Sequence, residues 1–495
     1  MINFNQISND LVASKVAIEL NSKVSALSAA IIPQKILIMG QYDNTKTVVD
    51  YVPHELTGGL QEVKNTYGYG SMLALMVDKA IANAGSSIPI FVSPVPDDGA
   101  AVVATGTITV TGTASTSGVL YFYIAGQKVA VAVAKDEVFG DIASAIETAV
   151  NANADLPVTA SATLGVVTLT ANWKGLTGND ITIEQNLGGI DESSSAPSDV
   201  TIVIVGMASG ATNPDITDVF QYLEGSDWFT VLVNPYTDVA NLTILETKAE
   251  ALADPLIKRF PNTLTGDTTI LATAEALADS RNSRFNTLVH VDSSPSFPAE
   301  VGAATAGQIA KSAGIDPARP FKNLILVGIL PGNKLSYSQI DQAEKKGLGE
   351  TDVTADGRVK IYDLVTTYKT NGEGAPDTSY RYTVTISNLQ AKIYTLDVVL
   401  SSEPFTRAKV VDDDTVTSQE YAISPKVLKG FIIEVVDKIW IANVWSINRD
   451  EIVDSIQAEI NATNPSRLDV SFIDILASGL RILAVKYGFA FSPVE

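Results

Sequence analysis

At 495 residues and 46% hydrophobic, the chain is long enough for roughly three domains of about 150 residues and apolar enough to fill their cores. Its net charge of −22, from 34 Lys plus Arg against 56 Asp plus Glu, excludes the basic footprint of a nucleic-acid binder and disfavours an anionic membrane surface. With no cysteine the chain can form neither a disulfide nor a thiolate metal site, which suits a reducing compartment.

The opening stretch, MINFNQISND, has no basic or apolar signal region, so no secretory leader is expected there. No apolar run approaches the roughly 18–20 residues needed to span a bilayer. From residue 35 an α/β rhythm sets in. Near-continuous apolar runs suit strands buried on both faces: KILIMG (35–40), PIFVSPV (89–95), VTIVIVG (200–206), WFTVLVNPY (228–236), NTLVHV (286–291) and NLILVGI (323–329). Helical patterns lie between most of them: 71–85, 240–260, 267–284 and 298–314. Strand and helix in alternation predict a sheet covered by helices.

Residues 96–199 interrupt this rhythm with Thr, Val, Ala, Gly and Ser. The stretch reads as three strands, one amphipathic helix (141–156) and three more strands. Its flanks, 89–95 and 200–206, read as core strands, which makes it a small β-rich domain inserted in a surface loop. After residue 334, KIYDLVTTYKT and SYRYTVTIS read as strands around the loop TNGEGAPDT. SPKVLKGFIIEVVDKIW (424–440) reads as a helix capped by Ser424 with Pro425 in its first turn. NRDEIVDSIQAEIN (448–461) reads as a helix with Ile452, Ile456 and Ile460 inward and Asp450, Glu451, Asp454 and Glu459 outward. The last sixteen residues, LRILAVKYGFAFSPVE, alternate instead. Leu483, Val485, Tyr487, Phe489 and Phe491 share one face of a strand. A chain end is usually polar, so this face asks whose sheet it completes.

Catalytic chemistry is nearly missing. Only His54 and His290 exist, so neither a zincin pair nor a serine triad can be assembled, and both histidines read as structural. Gly40 is followed by Gln41, Tyr42 and Asp43, which is no dinucleotide fingerprint. YGYGSML (67–73) holds G-x-G before a helix but Leu73 replaces the third glycine. In DVTADGRVKIYD (352–363), Asp352, Thr354, Asp356, Gly357 and Asp363 fall at calcium-loop positions, yet position 12 lacks its Glu and a strand follows. A hairpin turned by Asp356-Gly357 accounts for it better. No catalytic, cofactor or metal site is therefore expected.

Four blocks in order, ADGRVKIYDLVTTYKTN, GAPDTSYRYTVT, ISPKVLKGFI and NATNPSRLDV, resemble the Mu-like family of contractile phage tail sheath proteins. The inserted segment, GTITVTGTASTSGVLYFYIAG through VVTLTANWKGLTGNDITI, is similar to that family's protruding domain, and MINFNQISND to its opening. The resemblance implies a mixed, multidomain α/β (α+β) subunit. Its parts are an N-terminal arm (1–21), a middle domain (22–95 and 200–333), the outward-facing insert (96–199), a tube-facing α+β domain (334–481) and a C-terminal arm (482–495). It implies homo-oligomeric rings stacked on a tail tube protein, with baseplate and tail terminator partners. Nothing in it calls for a cofactor, nucleic acid or membrane binding by the subunit. Localisation would be the virion tail, after assembly in host cytoplasm.

The resemblance also answers the question of the final strand. Family arms add strands to neighbouring sheets, here Val12, Val16, Ile18 and Leu20 at one end and Leu483, Val485, Tyr487, Phe489 and Phe491 at the other. The acidic face of Asp450, Glu451 and Asp454 is the candidate tube contact. Three other readings compete: a doubly wound enzyme with a lid-like insert, a prophage-derived contractile injection (tailocin) sheath, and a surface-lattice protein, which would want a secretion signal.

Overall fold

A computed structural model describes residues 32–223, 225, 228–415 and 421–489. They divide into two compact units, one of residues 33–390 with 479–489 and one of residue 32 with 391–478.

Among the described residues, the larger unit is built on an eight-stranded sheet. Its order is His54–Glu55, Ile90–Val95, Ile36–Gln41, Val231–Val233, Asn262–Asp267, Asn286–His290, Leu348–Val353 and Val359–Asp363. The two outermost strands pair antiparallel and the rest run parallel, with the order reversing at Ile36–Gln41, as in doubly wound folds. Ile36–Gln41, Asn262–Asp267 and Asn286–His290 are buried along their whole length, as strands covered on both faces must be.

The covering helices follow local signals. Met72–Ala84 begins at Ser71, whose hydroxyl accepts from Ala74 N at 3.2 Å, and stops at Gly85 with φ 76°. Pro298–Ile315 packs on it through Gly307, where a Cβ would stand 2.7 Å from the Ala80 carbonyl. Only glycine permits so close an approach.

The insert is a pair of sheets beside the helix Phe139–Ala152. One sheet orders Val200–Ala208, Val103–Gly112, Val166–Lys174 and Val158–Thr163; the other orders Gln127–Val133, Gly118–Ile124 and Ile183–Gln185. The strands and helix expected between 96 and 199 are therefore present. The strand expected at 200–206 is also present, but in a different sheet. It pairs antiparallel with Val103–Gly112 rather than joining the parallel core. Its alternating half-buried and exposed residues explain why: a strand with one wet face cannot sit in a doubly covered sheet. The insert's buried residues and those of the main sheet form one continuous apolar cluster.

Other expectations are corrected, and one strand is unforeseen. NTLTGD (262–267) is a central strand, hidden by its polar composition; Asn262 donates to Ser387 Oγ at 2.9 Å and Thr263 to the Phe285 carbonyl at 3.0 Å. NLILVGI is not a ladder strand: it runs irregularly beside Val359–Asp363, with Leu326 N donating to Val359 O at 2.9 Å. SYRYTVTIS leads into the helix Thr383–Leu400 instead of a strand. That helix buries Thr383, Ser387, Asn388, Gln390, Lys392 and Thr395, so no apolar stripe announces it. The expected helix 448–461 ends at Ser455; Gln457–Ile460 then pairs with Leu468–Ser471 in a hairpin. Asn461 turns that hairpin, its side-chain oxygen accepting from Thr463 N and Asn464 N at 3.1 and 3.0 Å. The sheet continues past residue 334 to Asp363, and the boundary between the units falls at 390/391. Strand Leu348–Val353 pairs parallel with Asn286–His290, which ties 334–390 to the middle strands.

Candidate functional site: an assembly arm

The approach to the arm is held by a buried polar cluster. Lys392 Nζ donates to Ser446 Oγ and to Asp474 Oδ2, both at 2.6 Å, and Ser446 Oγ donates to Asp474 Oδ1 at 2.6 Å. The ammonium also lies 5.0 Å from the Trp440 ring centroid. Burial lowers the affinity of Lys392 for its proton, and Asp474 opposes that shift. Around this cluster Ile447 N donates to Ile475 O at 2.9 Å and Ala477 N to Trp445 O at 3.1 Å. The ladder fixes residues 475–477.

From residue 479 the chain packs with the larger unit. Gly479 passes Pro320 so closely that a Cβ would come within 2.2 Å of its Cγ. Lys322 Nζ donates to the Leu480 carbonyl at 2.5 Å. Arg481 Nε donates to Asp363 Oδ2 at 2.7 Å, and its guanidinium carbon sits 3.3 Å from the Tyr382 ring centroid. Burial raises Asp363, and the Arg481 charge counters only part of that rise. Beside this anchor is a cleft of about 400 Å³, lined in part by Tyr337, Glu344, Tyr362 and Ile482. Burial, reinforced by Asp363, pushes the Glu344 carboxyl up to about 7.

Beyond Arg481 the character changes. Every residue from 482 to 489 is exposed, and the described part forms no strand within its own chain. Leu483, Val485, Tyr487 and Phe489 are 79, 77, 85 and 72% exposed. Large apolar side chains are thus presented to water in alternation. Phe491 and the other arm's Val12, Val16, Ile18 and Leu20 lie outside the described residues.

Asp450 and Glu451 occupy the first turn of Arg449–Ser455, and with Asp454 they are exposed. Arg449 pairs with Asp437 at 2.6 and 2.9 Å and with Asp450 at 3.0 Å. One carboxylate of the acidic face therefore already has a cation. The structure brings these residues together on one helix.

The remaining candidates acquire plain explanations. His290 is buried, its Nδ1 3.1 Å from Glu350 Oε1 and its Nε2 2.8 Å from the Thr269 carbonyl. Burial opposes its charge, but Glu350, the Thr269 carbonyl and Asp267 together outweigh burial and raise His290 to about 9. The two form a buried ion pair inside the sheet. His54 bonds Glu62 at 2.8 Å on the surface. Gly70 has φ 62°, and a Cβ there would meet the Leu156 carbonyl at 2.1 Å, so the G-x-G seats the insert. The calcium-like stretch is the hairpin Leu348–Val353 to Val359–Asp363, turned at Gly357 with φ 77°. Asp352 faces Lys360 at 3.2 Å and Asp356 faces Arg358 at 2.6 Å. Among the described residues no group of three or more His, Cys, Asp or Glu side chains is placed to hold a metal.

A doubly wound enzyme would bind its substrate at the carboxyl ends of the strands, where the order reverses. In this chain Gln41, ending strand Ile36–Gln41, donates to Asp97 Oδ1 at 2.7 Å and to the Lys174 carbonyl at 2.6 Å. The insert packs into that place.

No sequence signal pairs Arg481 with Asp363 or Lys392 with Asp474. Arg481 and Asp363 stand 118 positions apart, and Lys392 and Asp474 stand 82 apart. Only the fold brings them into contact.

No family model matches the chain. The Mu-like prophage FluMu tail sheath protein of Haemophilus influenzae is 26% identical over 427 residues, 86% of each chain. Among solved structures, the sheath tail protein of Desulfitobacterium hafniense aligns over 93% of this chain and all of that one, at 11% identity and a TM-score of 0.47. The anti-feeding prophage helical sheath in its contracted state aligns over 96% of this chain and 99% of that one, at 11% identity and a TM-score of 0.48. The sequence similarity extends well beyond the four quoted blocks, and over 86% of its length this chain is similar to the tail sheath protein of a Mu-like prophage.

Proposed function

We propose that the chain is the structural subunit of a contractile tail sheath. It polymerises around a tail tube, and collapse from a metastable extended state drives the tube through a host envelope. Energy stored during assembly takes the place of nucleotide hydrolysis, so the subunit needs no active site. The observation that carries this reading is the arm 482–489, whose alternating apolar face is exposed in its own chain. Added to a neighbour's sheet, it gains main-chain hydrogen bonds and buries that face. Residues 12–21 act in the same way at the other end. Such junctions hold while subunits move as rigid bodies. The working location is the virion tail, with assembly in host cytoplasm and with tube, baseplate and terminator proteins as partners. A tailocin sheath is the same role in a different particle. Negative-stain microscopy of the purified protein is expected to show stacked rings or tubes. Compact single particles at every concentration and salt would overturn the proposal.

The acidic face of Asp450, Glu451 and Asp454 meets basic groups of the tube protein in this reading. Reversing all three to Lys is expected to slow tube-templated assembly at low salt, with the difference fading as salt rises past a Debye length of about 10 Å at 0.1 M. Turbidity or sedimentation with purified tubes measures it. Equal assembly of both proteins at low salt would remove the tube contact from this face.

A further inference from the structure

We propose that Arg481 is a positioning residue that sets the direction in which the carboxyl-terminal arm leaves its own subunit. The proposal rests on the arm reading above and adds a part that composition could not supply. Residues 482–489 form no strand in their own chain, and the chain is gripped immediately before them. Three contacts converge there. Gly479 runs against Pro320, Lys322 holds the Leu480 carbonyl, and Arg481 is gripped from two sides. Asp363 Oδ2 accepts from its Nε at 2.7 Å while the Tyr382 ring centroid lies 3.3 Å from the guanidinium carbon.

A planar group held by its Nε–H and backed by a ring has less freedom to slide or turn than one held by charge alone. Lysine could satisfy the charge of Asp363 but not the plane of Tyr382. The anchor is also partly sheltered, with side-chain exposures of 17% for Arg481 and 7% for Asp363, so water competes weakly for it. Asp363 ends an edge strand of the main sheet. The arm therefore starts from the rigid sheet and not from a loop. A preset direction lowers the ordering entropy of each junction, because the strand arrives already aimed.

The cysteine-free chain makes the test direct. Spin labels at Lys311→Cys, exposed on helix Pro298–Ile315, and at Tyr487→Cys report the arm's direction in unassembled protein by pulsed dipolar spectroscopy. A narrow distance distribution is expected. Arg481→Gln should broaden it and Arg481→Lys should restore it in part; Arg481→Lys should melt close to the parent, and Arg481→Gln earlier, because it leaves the sheltered Asp363 unpaired. Sedimentable polymer should fall about tenfold for Arg481→Gln, the equilibrium factor of one weak ionic and stacking contact. Should Arg481→Gln fail to fold, Asp363→Asn removes the same grip at constant size. A distribution already broad in the parent, or unchanged in every variant, overturns the positioning role whatever assembly does. A distribution that broadens while assembly stays intact supports the positioning role and removes the arm exchange instead.

Discussion

A chain ending after Ala484 is expected to melt at the temperature of the full chain and yet fail to polymerise. The truncation removes Val485, Tyr487, Phe489 and Phe491 and keeps the Arg481 anchor. Val485, Tyr487 and Phe489 are 77, 85 and 72% exposed, so their own subunit loses little buried area. In a neighbour's sheet the same side chains are each worth about 1.5–3 kcal/mol on burial. Each main-chain hydrogen bond of the added strand adds about 0.5–1.5 kcal/mol. The loss per junction is thus comparable with the free energy of a specific contact, and it repeats at every subunit. A thermal melt beside a sedimentation assay reads the two effects separately. If the strand closed its own subunit, the damage would move to the melt. A truncated monomer that unfolds many degrees early would refute the exchange.

Asp474→Asn is expected to cost the unit of residues 391–478 about 3–5 kcal/mol, the usual penalty for leaving a buried charge without its partner. The Lys392 side chain is 4% exposed against 19% for Asp474, so the lysine is the member that cannot reach water. The reverse change, Lys392→Met, leaves Asp474 partly solvated and should cost less. Combining Lys392→Met with Asp474→Asn should recover part of the loss, because no unpaired charge then remains. The sign with pH follows from the direction of the shift. Burial already lowers Lys392 below its unfolded value, and without Asp474 it falls further. Between the folded and unfolded values the unfolded chain binds more protons, so stability rises with pH. The deficit of Asp474→Asn should therefore shrink toward alkaline pH. Urea melts of the single and double variants at neutral and alkaline pH measure this. A deficit within the roughly 0–1 kcal/mol of a surface pair would show that Lys392 finds water.

Periodicity and turn chemistry by themselves determined the α/β layering, the insert's strand–helix–strand order, the Asp356-Gly357 hairpin and the Ser424 cap, whose hydroxyl accepts from Val427 N at 3.3 Å. All of these signals are local, carried by neighbours within a few residues of one another. Tertiary structure alone decided the rest. NTLTGD became a central strand because Ser387 and the Phe285 carbonyl satisfy its polar side chains. Thr383–Leu400 became a helix because its buried polar face finds partners: Gln390 donates to the Thr230 and Phe260 carbonyls at 2.8 and 2.9 Å. Val200–Ala208 joined the insert because its wet face had no place in the covered sheet. Arg481 acquired its role from Asp363 and Tyr382, residues far away in the chain. A buried hydrogen bond is set by which atoms meet in space, and no window of sequence contains both of them.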